Sequence, residues 1–213
     1  MSPPNTAAKP PTLGVVLCGG LARRMGGADK ARISIGGVTL LDRVLTRLRP
    51  QCDRVVLNAN NAARFAHTGL PIVADSVPDF AGPLAGILAG LDWAADHAPK
   101  IEWIVSAPTD CPFLPRDLVA RLHRTRRESS ALLACAASGS QRHPVVALWP
   151  VSLREELRYA LAGEGVRKVE EWTARYRIGI TEWPAEPIDP FFNVNTPEDA
   201  AEAERIAARY PDL

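Results

Sequence analysis

From residue 13 onward, short apolar segments alternate with longer stretches in which apolar residues recur at helical spacing. The short segments predict strands at Leu13–Leu17, Arg54–Asn58, Pro71–Ala74, Trp103–Ser106, Ala131–Ala137, Val145–Trp149 and Arg177–Glu182. The longer stretches predict helices at Thr39–Arg49, Pro83–His97, Pro115–Glu128, Ser152–Ala162, 166–176 and from Thr196 onward. Strands joined by helices of this length require crossover connections, so the pattern predicts an α/β fold with a mostly parallel sheet.

The first twelve residues have a different composition from the rest of the chain. They contain four prolines and no apolar segment of the kind found in a signal peptide. We therefore expect a disordered N-terminal tail over 1–12 and a single domain over 13–213.

Composition excludes several classes of protein. The formal charge is +1, so no overall field attracts nucleic acid or an anionic membrane. No segment approaches the roughly 20 apolar residues of a membrane span. The four cysteines are scattered without CxxC spacing, which argues against a zinc site and a disulfide framework. These features are typical of a soluble, cytoplasmic protein.

Ligands of an open α/β sheet bind at the carboxyl ends of its strands, so the residues that follow each strand are the first candidates. After the first strand comes a stretch with four glycines and three basic side chains, LCGGLARRMGGADK at 17–30. Bare glycine backbone lets amide groups approach an anion, and the cations Arg23, Arg24 and Lys30 would balance its charge. The stretch is neither a Walker loop nor a GxGxxG dinucleotide fingerprint. A phosphate-binding loop is the prediction, with an ordinary glycine-rich turn as the alternative.

Two carboxylates also follow strands. Asp110, in PTDCP, is placed to hold a Mg²⁺ ion that also binds substrate phosphates, and the alternative is a cap on the next helix. Asp75 is a candidate contact to ribose or to a second substrate, or else a turn residue with Ser76. GPLAG (82–86) predicts a helix whose amino end faces a ligand. Asn195 is a candidate ligand contact or a support for the turn, and His143 is expected in a turn or a pocket wall.

Taken together, these motifs resemble the molybdenum cofactor guanylyltransferases, a family of nucleotidyltransferases. Residues 17–30 match the signature LAGGxSxRMGGxDK, and further matches follow in order along nearly the whole chain: VVLNAN, a D-S pair, GPLAG, PTDCP, RHPVVAL and FNVNTPED. The loop departs from the signature at Cys18, where alanine is usual, and at Ala22, where serine is usual. The resemblance implies a Rossmann-like, three-layer α/β/α nucleotidyltransferase fold with a twisted, mostly parallel sheet.

The resemblance also implies roles for individual residues, by position in the motifs. Arg24, Lys30 and Asp110 would be catalytic, and Asp110 would bind Mg²⁺. Contacts to the nucleotide or the pterin would come from Leu17, Cys18, Gly19, Gly20, Gly27, Lys30, Asn58, Asp75, Gly82, Pro83, Asp110, Asn193 and Asn195.

The implied reaction joins GMP from GTP to the terminal phosphate of molybdopterin and releases diphosphate, with Mg²⁺ required. Such an acceptor is already an anion, so no general base is needed, and the sequence offers no convincing one. A cytidylyltransferase or sugar-phosphate nucleotidyltransferase on the same fold is an alternative, as is a regulatory nucleotide-binding module without chemistry. Possible partners are molybdenum-insertion and molybdoenzyme chaperones, and the chain is expected to be a monomer or a weak homo-oligomer.

Overall fold

The computed structural model describes residues 9–19, 33–77 and 82–211. The strands in these ranges are β1 (Thr12–Leu17), β2 (Ser34–Ile35), β3 (Val38–Thr39), β4 (Arg54–Asn58), β5 (Ile72–Val73), β6 (Trp103–Pro108), β7 (Leu133–Ser138), β8 (Gln141–Pro150) and β9 (Ile178–Trp183). The helices are α1 (Leu40–Leu48), α2 (Pro83–His97), α3 (Leu118–Glu128), α4 (Arg154–Ala162), α5 (Val169–Thr173) and α6 (Pro197–Arg209). Short 3₁₀ turns lie at Arg49–Gln51, Ala62–Thr68 and Val151–Leu153.

In the described part of the chain, seven strands form one sheet in the order β5-β4-β1-β6-β8-β7-β9. Strands β5, β4, β1 and β6 are parallel neighbours, and so are β7 and β9. Strand β8 runs antiparallel to both β6 and β7. The predicted mostly parallel sheet is confirmed.

The sheet is covered on both faces, which accounts for the continuous apolar run of β1. Val15 packs into a cluster with α2 and α4, represented by Leu88 and Leu157. Val16, the next residue, points to the opposite face and packs with α1 and α3 through Leu45 and Leu122. The chain is therefore a three-layer α/β/α protein, as the resemblance implied.

Several element boundaries differ from the predicted ones. Helix α3 begins at Leu118 rather than Pro115, because the Pro115 carbonyl accepts from the Leu118 amide in a turn. The predicted helix over 166–176 is reduced to α5, which follows Gly165 with φ of +70°. The β2–β3 hairpin was not predicted, since each of its strands has only two residues.

The hairpin between β7 and β8 is tighter than the predicted seven-residue turn. Only Gly139 and Ser140 separate the strands, and both have positive φ, as two-residue hairpin turns require. Gln141, Arg142 and His143 therefore belong to β8.

At the N-terminus, β1 begins at Thr12, one residue before the predicted start. The Thr12 side chain is buried, and its amide donates to a carboxylate oxygen of Asp53 at 2.8 Å. Of the expected tail, residues 1–8 lie outside the described part of the chain. Within the described ranges, no helix combines the length and apolar character that crossing a bilayer demands.

Candidate active site

A cleft of about 830 Å³ lies at the carboxyl ends of β1, β4 and β6. The strand order reverses at this place, since β4 lies on one side of β1 and β6 on the other. Ligands of open α/β sheets bind in such crevices, and the volume is within the roughly 300–1,000 Å³ of small-molecule sites. Eight of the residues predicted to contact the nucleotide or the pterin line it: Leu17, Gly19, Asn58, Asp75, Gly82, Pro83, Asp110 and Asn193.

Asn58 and Asp75 form a hydrogen-bonded pair at one end of the cleft. Asn58 Nδ2 donates to Asp75 Oδ1 at 2.9 Å and to the Val73 carbonyl at 3.2 Å. The second carboxylate oxygen accepts from Asn60 Nδ2 at 2.9 Å, and Asn60 Oδ1 accepts from the Asp75 amide at 2.9 Å. These bonds fix the orientation of the Asp75 carboxylate. The carboxamide oxygen of Asn58 takes part in none of them.

Asp110 lies in the loop that follows β6, between the end of β1 and the segment before α6. The Thr109 amide donates to the Leu17 carbonyl at 3.2 Å, and the Val194 amide donates to the Asp110 carbonyl at 2.9 Å. The predicted alternative, in which Asp110 caps the next helix, is wrong, because Asp117 occupies the N-cap position of α3.

Cys111 connects this loop to Asn193. The buried thiol donates to Asn193 Oδ1 at 3.2 Å, so the amide group of Asn193 is oriented at the cleft wall beside Asp110. This hydrogen bond makes Cys111 a positioning contact for Asn193.

Helix α2 points its amino end at the cleft. Pro83 is its first residue, and both Pro83 and Gly82 line the cavity. Gly82 has extended backbone, and a Cβ there would meet only the Arg167 carbonyl oxygen at 3.8 Å. The glycine that packing requires is Gly86, one turn further on, where a Cβ would lie 2.2 Å from Asn58 Oδ1.

The described wall of the cleft is acidic. Its charged residues are Asp75, Asp110, Glu170 and Arg142, so among the described lining residues Arg142 is the one Lys or Arg. Across the described residues, no group of three or more His, Cys, Asp and Glu side chains is arranged to hold a metal ion. Mg²⁺ usually takes one or two protein carboxylates together with phosphates and water. A single carboxylate such as that of Asp110 therefore fits a Mg²⁺ ion that is bound mainly by the phosphates of a nucleotide.

Comparison with known proteins identifies the family. Residues 14–177 match the model of the MobA-like NTP transferase domain. A molybdenum cofactor guanylyltransferase from Nitrobacter hamburgensis is 63% identical over 93% of this chain and 96% of its own length. Another from Rhodopseudomonas palustris strain BisB5 is 60% identical over 95% and 97%. The chain is a member of the molybdenum cofactor guanylyltransferase family. It is thus a nucleotidyltransferase.

The fold is shared with more distant proteins. The crystal structure of molybdopterin-guanine dinucleotide biosynthesis protein A from Archaeoglobus fulgidus matches with a TM-score of 0.72 at 23% identity, over 92% of this chain and 99% of that one. At this identity the likeness shows the fold alone.

Two residues predicted to contact a ligand, Cys18 and Asn195, do not line the cleft. The Cys18 thiol donates to the Val16 carbonyl at 3.6 Å and packs against the α1 face of the sheet. The Asn195 amide donates to a carboxylate oxygen of Asp199 at 2.8 Å, beside the Thr196 capping box of α6. This bond comes from the backbone of Asn195, and a ligand contact by its side chain stays a prediction. Four further predicted residues, Gly20, Arg24, Gly27 and Lys30, lie outside the described residues, and their roles stay predictions.

Sequence reasoning missed one chain of hydrogen bonds at the opposite end of the cleft. Ser138 Oγ lies 2.7 Å from His143 Nε2 and donates to Asp189 Oδ1 at 2.7 Å. His143 lines the cleft, as the predicted pocket-wall role requires, but Asp189 was not a candidate. The tight hairpin is the signal that could have placed Ser138 and His143 side by side.

Proposed function

We propose that this chain transfers GMP from GTP to the terminal phosphate of molybdopterin and releases diphosphate. The observation that carries the proposal is that Asn58, Asp75 and Asp110 line one cleft of about 830 Å³. The names of the relatives, which are guanylyltransferases of the molybdenum cofactor, support the choice of GTP and of a molybdopterin acceptor.

The sheet order suggests how the two substrates share the cleft. Leu17, Asn58 and Asp75 lie at the ends of β1, β4 and β5 and are assigned to GTP. Asp110 follows β6 in the middle, and Arg142 lies on β8 beyond it. We assign Arg142 to the acceptor phosphate, because a guanidinium forms strong charge-assisted hydrogen bonds with phosphate oxygens.

In the proposed reaction, an oxygen of the acceptor phosphate attacks the α-phosphorus of GTP. A new P–O bond forms, the bond to the β-phosphate oxygen breaks, and its electron pair leaves on diphosphate. No side chain has to remove a proton, because a phosphate monoester is an anion at neutral pH. The work of the protein is therefore to position two anions and offset their repulsion.

The residues divide this work. The amino end of α2 would direct the positive end of the helix dipole and the Gly82 amide toward phosphate oxygens, while Pro83, which has no N–H, begins the helix. Asp110 would hold Mg²⁺, which when bound supplies positive charge to the α-phosphate and the diphosphate. Lys30 and Arg24 would add cations from the preceding loop. Arg142 would neutralise and orient the attacking phosphate.

The direct test is a diphosphate-release assay with purified protein, molybdopterin, Mg²⁺ and either GTP, CTP or ATP. Release that requires both GTP and molybdopterin supports the proposal. Release with CTP instead of GTP would make the chain a cytidylyltransferase, and no release with any nucleotide would overturn the proposal.

Further proposals concern the whole protein. We propose one domain that begins with β1 at Thr12, one residue before the predicted start at 13, because β9 pairs with β7 in the main sheet and Glu204 of α6 accepts from the Gly36 amide at 2.9 Å. A cytoplasmic location, a monomer or weak homo-oligomer, and transfer of the product to molybdenum-insertion and molybdoenzyme chaperones belong to the same proposal. Size-exclusion chromatography with light scattering tests the oligomeric state.

A further inference from the structure

Ser138 determines which ring nitrogen of His143 carries the proton. A serine hydroxyl has one hydrogen, and the hydroxyl of Ser138 gives it to the Asp189 carboxylate at 2.7 Å. The 2.7 Å contact with His143 Nε2 can then form only if Nε2–H donates to the serine oxygen. In the neutral ring, Nδ1 is left with its lone pair.

The ring is also held in place. It packs against the ring of Phe191 in a tilted arrangement, with centroids 4.7 Å apart and planes inclined by 32°. The same Asp189 oxygen that accepts from Ser138 accepts from the Phe191 amide at 2.9 Å, so one carboxylate fixes both neighbours of the ring. Burial lowers the pKa of His143, an effect that the nearby carboxylates of Asp189 and Glu182 partly oppose. The neutral form is therefore the one present at neutral pH.

His143 lies on the acceptor side of the cleft. Ala147 of β8 pairs with Ser106 of β6, so the residues before Ala147 extend past the end of β6 toward the level of the Asp110 loop. Neighbouring strands are about 4.8 Å apart, which places β8 about 10 Å from β1 and about 14 Å from β4. His143 thus belongs to the opposite end of the cleft from Asn58 and Asp75.

Nδ1 is available to a ligand. His143 is half-buried and lines the cleft, and among the described residues only its Nε2 makes a side-chain hydrogen bond. A lone pair repels the unprotonated oxygens of a phosphate and attracts an N–H group. The chemistry at this point of the wall therefore differs from that of Arg142 beside it.

We propose that His143 is a specificity-determining residue for the acceptor, whose Nδ1 accepts a hydrogen bond from a ring N–H or amino group of the pterin. Ser138 and Asp189 are positioning residues that hold the ring in the tautomer this bond needs. The inference rests on the proposed function, because it takes the acceptor to be molybdopterin.

Two variants of His143 separate the two ring nitrogens. In His143→Gln the amide nitrogen takes the place of Nε2 and keeps the bond to Ser138, while the acceptor at Nδ1 is lost. In His143→Asn the amide oxygen takes the place of Nδ1 and keeps the acceptor. We expect His143→Gln to raise the KM for molybdopterin roughly tenfold and to leave the KM for GTP unchanged. The reason is that a pterin N–H left without an acceptor on binding weakens affinity about tenfold. His143→Asn should stay within about threefold of the wild type.

Thermal unfolding of both variants checks that they are folded. An unchanged KM for molybdopterin in His143→Gln would overturn the proposal, and so would an increase confined to the KM for GTP. Equal losses in both variants would also contradict it, because the Asn variant keeps the acceptor.

A spectroscopic readout separates this inference from the proposed function. Nitrogen-15 NMR of the His143 ring should show a protonated Nε2 and an unprotonated Nδ1, and Ser138→Ala should shift that tautomer balance. A protonated Nδ1 in the wild type would overturn the inference whatever the enzyme does. If the wild type releases no diphosphate from GTP with molybdopterin, the proposed function fails and the pterin contact with it, while the NMR result still decides the tautomer.

Discussion

Gly86 and Asn58 are so close that a Cβ atom on the glycine would lie 2.2 Å from Oδ1 of the asparagine. The same Cβ would lie 2.7 Å from Leu17 Cδ2. Helix α2 therefore packs directly on the end of β4, and the Asn58 carboxamide is confined between this helix and Asp75. The end of the cleft that we assign to GTP therefore depends on a glycine that does not itself line the cleft.

Gly86→Ala should weaken both the protein and its binding of GTP. The added methyl group must displace Asn58 or Leu17, and overpacking of this kind costs about 1–3 kcal/mol of stability. Gly90→Ala is the matched control, because its Cβ would meet Val15 Cγ2 at 2.5 Å, one turn away from Asn58. Both variants should unfold at lower temperature, and calorimetry should show weaker GTP binding only in Gly86→Ala. Equal GTP affinity in the two variants would refute this account.

Asp110→Asn should lower kcat at least 100-fold while thermal unfolding stays near that of the wild type. The substitution removes the carboxylate charge but keeps the backbone carbonyl that accepts from Val194. Asp117→Asn is the control, since Asp117 lies at the start of α3, where it accepts from Trp183 Nε1 at 3.0 Å, and the amide oxygen can keep that bond. A fully active Asp110→Asn variant would show that this carboxylate holds no cation needed for the reaction.

Arg142→Gln should raise the KM for molybdopterin about tenfold or more, since a hydrogen bond to a charged group contributes about 1.5–3 kcal/mol. The wild-type KM for molybdopterin should also rise with salt, and this dependence should be smaller in the variant. Steady-state kinetics at two ionic strengths measures both effects. A change in the KM for GTP alone would show that Arg142 acts on GTP rather than on the acceptor, and would contradict this assignment.

Stability should fall on acidification because of His123. Burial, followed by nearby cations of which Arg126 is the largest contributor, lowers the pKa of His123 from 6.5 to about 4. Between these values the unfolded chain takes up a proton that the folded protein does not, so stability rises with pH and is lost as pH falls from 6.5 toward 4. The contribution of this one group is about 3 kcal/mol.

His123→Gln provides the control for this pH dependence. Its amide nitrogen can keep the bond that His123 Nε2 makes with Thr12 Oγ1 at 2.8 Å, and it does not titrate. Urea unfolding from pH 7 to pH 4 should therefore give a flatter profile for the variant. Parallel profiles for the two proteins would assign the acid sensitivity to other groups.

Sequence reasoning located the residues that follow strands. Asn58 ends β4, and Asp75 and Asp110 each follow a strand by two residues; the parallel sheet brings such positions to one edge, so a linear pattern was enough. The helix start at Thr196 was equally readable, because a capping box is a local signal.

Contacts between distant segments could not be read in this way. Gly86 follows Asn58 by 28 positions, and their approach depends on how α2 crosses β4. Ser138 and Asp189 are separated by 51 positions and meet through the pairing of β7 and the path of the chain after β9. The length of the β7–β8 turn was overestimated because both Gly139 and Ser140 adopt positive φ, which a cluster of polar residues does not specify.

The most direct test of the account follows the label from [α-³²P]GTP in a single turnover with the wild-type protein, Mg²⁺ and molybdopterin. We predict that the label appears in a molybdopterin guanine dinucleotide, that an equal amount of diphosphate is released, and that labelled CTP gives no such product. Label found only in free GMP, or a dinucleotide formed from CTP and not from GTP, would contradict the transfer of GMP to a molybdopterin phosphate.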